Sequence, residues 1–421
     1  MKSVAHKRKA WSVVIMSTLA FTVCFMVWMM FAVIGIPIKK TLDLSETQFG
    51  VLVAMPVLTG SLFRLPIGML ADKFGGRIVF AAIMAFSVMP IYLISYGTEF
   101  WHYLVLGLFV GLAGTSFSVG IAYCARWFPK NQQGLAMGVF GAGNSGAAVT
   151  KLVAPALVVA YGWQFVPKVY AAVMLGTLIL FWMFTYDDPA HKVGRHVTWR
   201  EQLLALKDPT VWKYCQYYSI VFGGYVALSL WMTKYYVSEY GFDIKDAAFL
   251  AACFSLPGGV LRAIGGWMSD KWGAHRVTWW VLWVSWICLF ILSYPQTELT
   301  IKTVNGPQSF SLGLNVWVFT VLMFIMGIAW AIGKASVFKY ISDDYPKNIG
   351  VISGIVGLAG GLGGFLLPIM FGALVDLTGI RSTCFMLMYG VVWVSLIWMY
   401  FTEVKKLDLM MRHRPQPDVL E

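Results

Sequence analysis

Twelve membrane-spanning helices, arranged as two related six-helix halves, are the fold this sequence predicts. Three observations carry it. Of the 421 residues, 59% are hydrophobic and only 12% are charged, against about 25% charged in soluble domains. Twelve apolar runs recur at roughly 11–37, 46–71, 78–96, 100–128, 133–160, 164–186, 211–238, 247–269, 277–294, 312–341, 349–375 and 382–402, most of them able to cross a bilayer at about 20 residues each. A charged, glycine-bearing pattern appears twice: Arg64, Gly68, Asp72, Lys73 and Gly75 return as Arg262, Gly266, Asp270, Lys271 and Gly273, each 198 residues later.

The first run follows Lys2, Lys7, Arg8 and Lys9 and stays apolar from Ala10 to Pro37. It is longer than a signal-peptide core and has no small-residue cleavage site, so it is expected to remain as helix 1. The longest polar interruption, 187–209, divides the chain into an N-terminal bundle over 1–186 and a C-terminal bundle over 210–404, with a tail over 405–421. Lys and Arg crowd the loops on one side, including Lys73, Arg77, Arg126, Lys130, Lys271, Arg276 and the tail, whereas the other side holds fewer, such as Lys39, Lys168, Lys245 and Lys302. That asymmetry places the 187–209 linker and both termini in the cytoplasm. The net charge of +12 is accounted for by this orientation, and no nucleic-acid partner is expected. The six cysteines stand singly in apolar stretches and read as small buried hydrophobes. Ser45 and Asp243, again 198 residues apart, should cap the helices that follow them.

Arg64 and Arg262 each precede an aspartate by eight residues. That sets them about 12 Å deeper along their helices, near mid-membrane. A charge there costs at least about 2.5–3.5 kcal/mol and marks a functional site. The acidic residues gather at helix ends and in loops, and Lys151 and Lys334 add further positive charge within runs. A cavity lined by cations without carboxylates suits an anion as cargo. The planar guanidinium fork suits a planar oxyanion, because it donates two parallel hydrogen bonds.

Glycines crowd helices 5 and 11, as Gly141-Ala-Gly143-Asn144-Ser-Gly146 and Gly357-Leu-Ala-Gly360-Gly361-Leu-Gly363-Gly364. They allow close helix packing, and they also bare backbone against which a ligand could lie, with Asn144 as a polar contact. Asp72, Arg77 and Asp270 sit in the loops after helices 2 and 8. The two aspartates there can pair with an arginine and latch one conformation. A duplicated six-helix unit fits a transporter that rocks its halves about a central site. No nucleophile–base cluster, metal-ligand spacing or nucleotide loop is visible, so neither an enzyme nor a cofactor is expected.

The segment Gly68-Met-Leu-Ala-Asp72-Lys73-Phe-Gly75-Gly76-Arg77 and its twin, Gly265-Gly266-Trp-Met-Ser-Asp270-Lys271-Trp-Gly273, resemble the signature loop of the major facilitator superfamily. The glycine–asparagine run of helix 5, followed by Pro155, its glycine-rich partner on helix 11 and the two arginines resemble the nitrate/nitrite porter family, the NarK-like branch of that superfamily. The likeness covers essentially the whole chain. It implies the major facilitator fold and secondary transport of nitrate, and of nitrite, by alternating access across a bacterial cytoplasmic membrane. It assigns anion binding to Arg64 and Arg262, and signature roles to Gly143, Asn144, Gly146, Gly360, Gly361 and Gly363. Phe117 resembles the family's anion-packing aromatic, and Tyr218 its helix 7 hydroxyl donor. Two departures stand out. Lys334 occupies a position where the resemblance leads one to expect Asn, and Lys151 one where it leads to a neutral polar residue. Both changes point to the nitrate/proton symporter branch, since lysine can exchange a proton where arginine cannot; a role in widening the anion field is equally open. Protons and membrane lipid are the other expected partners, and a monomer the expected unit. A nitrate/nitrite antiporter is the alternative, and an organic-anion or drug exporter the more distant one.

Overall fold

The computed structural model describes residues 4–187, 204–345 and 349–404. Most of the expected linker, the Pro346-Lys347-Asn348 segment and the tail over 405–421 lie outside them. Among the described residues, nine helices are long and apolar enough to cross a membrane, and eleven if two bent pairs each count as one. The bent pairs are helix 2, Glu46–Leu62 with Arg64–Phe74, and helix 8, Ile244–Val260 with Arg262–Trp272. The remaining expected span, helix 7, is a continuous helical run made of Pro209–Tyr218, a π-turn over Ser219–Gly224 and Tyr225–Tyr240. Its lysines and tyrosines make it less apolar than the others. Between helices 9 (Ala274–Leu292) and 10 (Val316–Asp344) the chain forms a hairpin of β1 (Thr297–Thr303) and β2 (Gly306–Leu312), which no apolar run announces.

The expected caps are present. Ser45 closes a capping box with Gln48, and Asp243 accepts from the Asp246 amide at 2.8 Å. Of the six cysteines, five are buried and Cys253 is half-buried, all unbridged.

Irregularities gather at one depth. Helix 2 bends by 43° after Phe63 and helix 8 by 48° after Leu261, so Arg64 and Arg262 each open the second segment of a broken helix. Helix 4 (Phe100–Arg126) tightens to 3₁₀ over Leu112–Thr115, just before Phe117, and helix 5 (Lys130–Tyr161) does so over Ala142–Ser145. The π-turn of helix 7 begins just after Tyr218. Short 3₁₀ and π insertions of this kind often mark functional positions.

The halves are held together unevenly. On the face away from the basic loops, helix 2 of the first half lies backbone-to-backbone on helix 11 (Ile349–Thr378). A Cβ on Gly50 would strike the Pro368 carbonyl, and one on Gly372 the Glu46 carbonyl. On the basic face the described ion pairs of the signature loops stay within one half. Asp72 binds Arg126, Arg77 binds Asp187 at 3.3 Å and Asp270 binds Lys339 at 3.3 Å. Among the described residues, then, these ion pairs brace each half.

The loop glycines divide by role. Gly265 meets the Ile332 carbonyl oxygen at 2.6 Å from an added Cβ, while the repeat-related Gly68 and Gly266 have nothing within 4 Å. Close approach is therefore a property of Gly265. Gly265→Val should lose about 1–3 kcal/mol of stability by overpacking, read as a lower melting temperature in detergent. Gly266→Val, one position away, should melt close to wild type. Equal melting of the two variants would contradict this packing.

Candidate functional site

The two central arginines converge on one ring. Arg64, from the first half, places its guanidinium carbon 5.8 Å from the centroid of Phe117, and Arg262, from the second, places its own at 5.3 Å. Phe222 lies 4.9 Å from Arg64, with Trp28 at 5.9 Å, and Phe338 lies 5.4 Å from Arg262. Tyr218 completes the circle, stacked on Phe222 at 5.2 Å and edge-on to Phe338 at 4.9 Å. Negative ring faces offset part of the guanidinium charge in a site out of water.

Each arginine also reaches across to the opposite half. Arg64 Nη1 donates to the Gly357 carbonyl of helix 11 at 3.1 Å. A Cβ on Gly141 of helix 5 would lie 3.6 Å from Arg262 Cδ. Gly141 and Gly357 are repeat-related, 216 residues apart, as are the arginines. The arrangement is thus a pseudo-symmetric exchange in which each half lends a cation to the other half's glycine helix.

Neither arginine forms an ion pair among the described residues. Arg64 Nε, Arg262 Nη1 and the Tyr218 hydroxyl are buried without a hydrogen-bond partner. Three donors without acceptors, in a setting where buried polar groups are normally satisfied, fit an oxyanion between the halves.

The other expected site residues fall into place differently. Asn144 is buried, but its amide donates to the Gly141 carbonyl of its own 3₁₀ turn at 2.9 Å, and its unpartnered atom is an acceptor, Oδ1. That hydrogen bond holds the turn and uses one of the two amide N–H groups. The signature glycines are sites of helix contact. A Cβ on Gly143 would meet Phe21, on Gly146 the helix 1 (Val4–Leu42) backbone at Thr22, on Gly360 Tyr218, on Gly361 Ser61, and on Gly363 the Ser219 carbonyl at 3.1 Å. They set helix spacing around the arginines, with Gly141 and Gly357 alone facing them.

Lys151 and Lys334 lie away from the aromatic circle, on the side opposite the basic loops. Lys151 is 1% exposed and binds the Ser255 hydroxyl of helix 8 across the halves. Lys334 is fully buried, donates to the Gly258 carbonyl and sits 3.5 Å over the Tyr225 ring. Both ammonium groups therefore grip one turn of helix 8, and neither has a carboxylate partner among the described residues. Sequence inspection passes over two more cations in helix 7. Lys213 and Lys234 are also buried, but they pair with Glu403 and Glu46. Phe222, Phe338 and Trp28 are likewise unremarkable in sequence. Only the position of Phe222, beside the Gly223-Gly224 pair, hinted at it.

Residues 16–368 match the family model described as Major Facilitator Superfamily. A protein of Thermus thermophilus called "Probable nitrate/nitrite antiporter NarK1" is 39% identical over 413 residues, spanning 94% of this chain and 93% of that one. The "Nitrite extrusion protein" of Bacillus subtilis is 29% identical, spanning 93% of this chain and 95% of its own length. The "Probable nitrate transporter NarT" of Staphylococcus carnosus is also 29% identical, spanning 93% and 97%. Among solved structures, a bacterial homolog of the human lysosomal transporter Spinster, in an inward-facing and occupied conformation, superposes with a TM-score of 0.70 at 15% identity, covering 96% of this chain and 98% of its own. This last likeness concerns the fold.

Arg64→Lys and Arg262→Lys should each lower transport at least about tenfold, because lysine keeps the charge and loses the planar fork. The check is uptake by purified variants of unchanged yield in liposomes. Near-normal uptake by both would mean that charge alone suffices.

Proposed function

The chain belongs to the major facilitator superfamily, and from that premise we propose that it takes up nitrate and nitrite by alternating access, with protons as the co-transported ion. It is a nitrate/nitrite transporter, and the arginine pair is the observation that supports the assignment most directly. Two cations from opposite halves face one ring, with unpartnered donors between them and no carboxylate among the described residues to neutralise them. A flat trigonal oxyanion accepts from a guanidinium fork and from the Tyr218 hydroxyl while packing on an aromatic face. The tight glycine contacts of helices 5 and 11 favour so small a cargo over the bulky substrates of a drug exporter.

In this reading the basic face is cytoplasmic, as the positive-inside rule has it, and the protein sits as a monomer in a bacterial inner membrane. In that orientation the backbone-to-backbone seam of helices 2 and 11 closes the outer face. Rocking of the halves carries Arg64 and Arg262 past Gly357 and Gly141 and exposes the anion to each side in turn.

Coupling rests on Lys151 and Lys334. Among the described residues the spans offer no buried carboxylate or histidine at the depth of the arginines, so these lysines are the groups able to take up and release a proton there. Nitrate alone is repelled by a negative interior, at about 2.3 kcal/mol per charge per 100 mV, whereas one nitrate with two protons is drawn inward. Exchange for internal nitrite is the second reading, and the names of the Thermus and Bacillus relatives favour it.

Proteoliposomes with set internal and external pH separate the two. A proton gradient should drive nitrate accumulation by the wild type. Lys151→Gln and Lys334→Met should keep nitrate-for-nitrate exchange and lose accumulation. If wild-type uptake ignores the gradient and rises with nitrite loaded inside, the protein is an exchanger.

A further inference from the structure

The far end of the interface holds a charge pair that the arginine site does not use. Glu46, the first residue of helix 2, pairs with Lys234 of helix 7 across the halves. Lys234 is 6% exposed, and its ammonium lies 4.6 Å over Trp231 and 5.3 Å over Phe49, two rings that also meet each other across the halves at 5.5 Å. Asp376 of helix 11 binds the same corner. Its carboxylate accepts from the amides of Glu46 at 3.0 Å and Thr47 at 2.8 Å and from the Thr47 hydroxyl. Lys39 adds a second contact to Glu46 at 3.5 Å. Apart from the stacking on Trp231 of its own helix, the contacts of Lys234 and Asp376 named here join the second half to helix 2, so they must part when the halves separate on this side.

We propose that Glu46 and Lys234 form the outer gate of the transport path, the Glu46 carboxylate holding, while this face is closed, the ammonium that meets the incoming oxyanion once it opens. Separation leaves Lys234 a cation at the mouth of the path, backed by aromatic faces and lacking a counter-charge. An oxyanion there takes the place of the carboxylate. As the halves close, Glu46 reclaims the ammonium and releases the anion toward Lys151 and the arginine pair. Lys234 lies 16 residues beyond Tyr218 on helix 7, about 24 Å further out, so capture and final binding are separate events. The proposal rests on the uptake reading for its cargo and direction; the gate itself rests on the cross-half contacts.

Two readouts test it. Spin labels at Lys40→Cys and Lys245→Cys, exposed positions at the outer ends of the two halves, report the width of the outer face by pulsed dipolar spectroscopy, with Cys253 replaced so that it takes no label. Without nitrate, Glu46→Gln and Lys234→Gln should each at least double the population of the long distance, and the exchanged pair Glu46→Lys with Lys234→Glu should restore the wild-type distribution. Distances unchanged in both single variants would overturn the gate. The second readout is the KM for external nitrate. A pair acting only as a latch shifts it alike in both single variants. The proposal requires opposite shifts of about threefold, lower in Glu46→Gln, where the ammonium is freed, and higher in Lys234→Gln. Shifts in the same direction would overturn the capture role. Wild-type liposomes that move no nitrate would instead sink the cargo assignment, with the distances still readable.

Discussion

Arginine cannot shed its charge, so a guanidinium held between membrane helices must be matched by something electronegative. Arg64 and Arg262 are matched by one backbone carbonyl, from Gly357, and by the faces of Trp28, Phe117, Phe222 and Phe338. That is less than a carboxylate would supply. Much of the surrounding architecture follows from holding two under-compensated cations in place. Each opens the second segment of a bent helix, with the bend one residue earlier. A segment start carries partial positive charge of its own, so the bends add to the field at the point where the cations stand. Neighbouring helices change pitch at the same level, and those changes orient Phe117 and Tyr218 toward the same point.

The glycines explain how the cations can be central and still move. Gly143, Gly146, Gly360 and Gly363 bring helices of one half together, whereas Gly50, Gly361 and Gly372 bring helix 2 against helix 11 across the halves. The first set makes each bundle stiff. The second makes the outer seam close enough for backbone to touch backbone, and such a seam separates without side chains having to withdraw past one another. Arg64 lies on Gly357 and Arg262 beside Gly141, so each half contributes one cation that touches the other.

The fold was legible because lipid enforces it: apolar runs, basic loops and a motif repeated at 198 residues follow from composition and duplication alone. Arg64 and Arg262 were legible for the same reason, since a charge eight residues inside a membrane helix has no neutral explanation. For Asn144 a sequence gives the residue and not the acceptor its amide chooses, here the carbonyl three residues back. The signature-loop aspartates are legible as able to pair with an arginine or cap a helix, but the partner each takes, Arg126 for Asp72 and Lys339 for Asp270, is set by tertiary pairing. Trp28 and Phe338 were invisible among 19 tryptophans and 29 phenylalanines, where only three-dimensional placement separates a site ring from a packing ring. The outer corner of Glu46, Lys234 and Asp376 was hidden because its members lie far apart in the chain, each at the edge of an apolar run.

Four buried lysines show how the same side chain serves two ends. Lys213 and Lys234 face Glu403 and Glu46, so each has a full counter-charge beside it. Lys151 and Lys334 face a serine hydroxyl, a backbone carbonyl and a tyrosine ring. Those partners accept a hydrogen bond without supplying a full negative charge. The lysines without carboxylates also differ in place: both meet one turn of helix 8, Ser255 to Gly258, between the outer seam and Arg262.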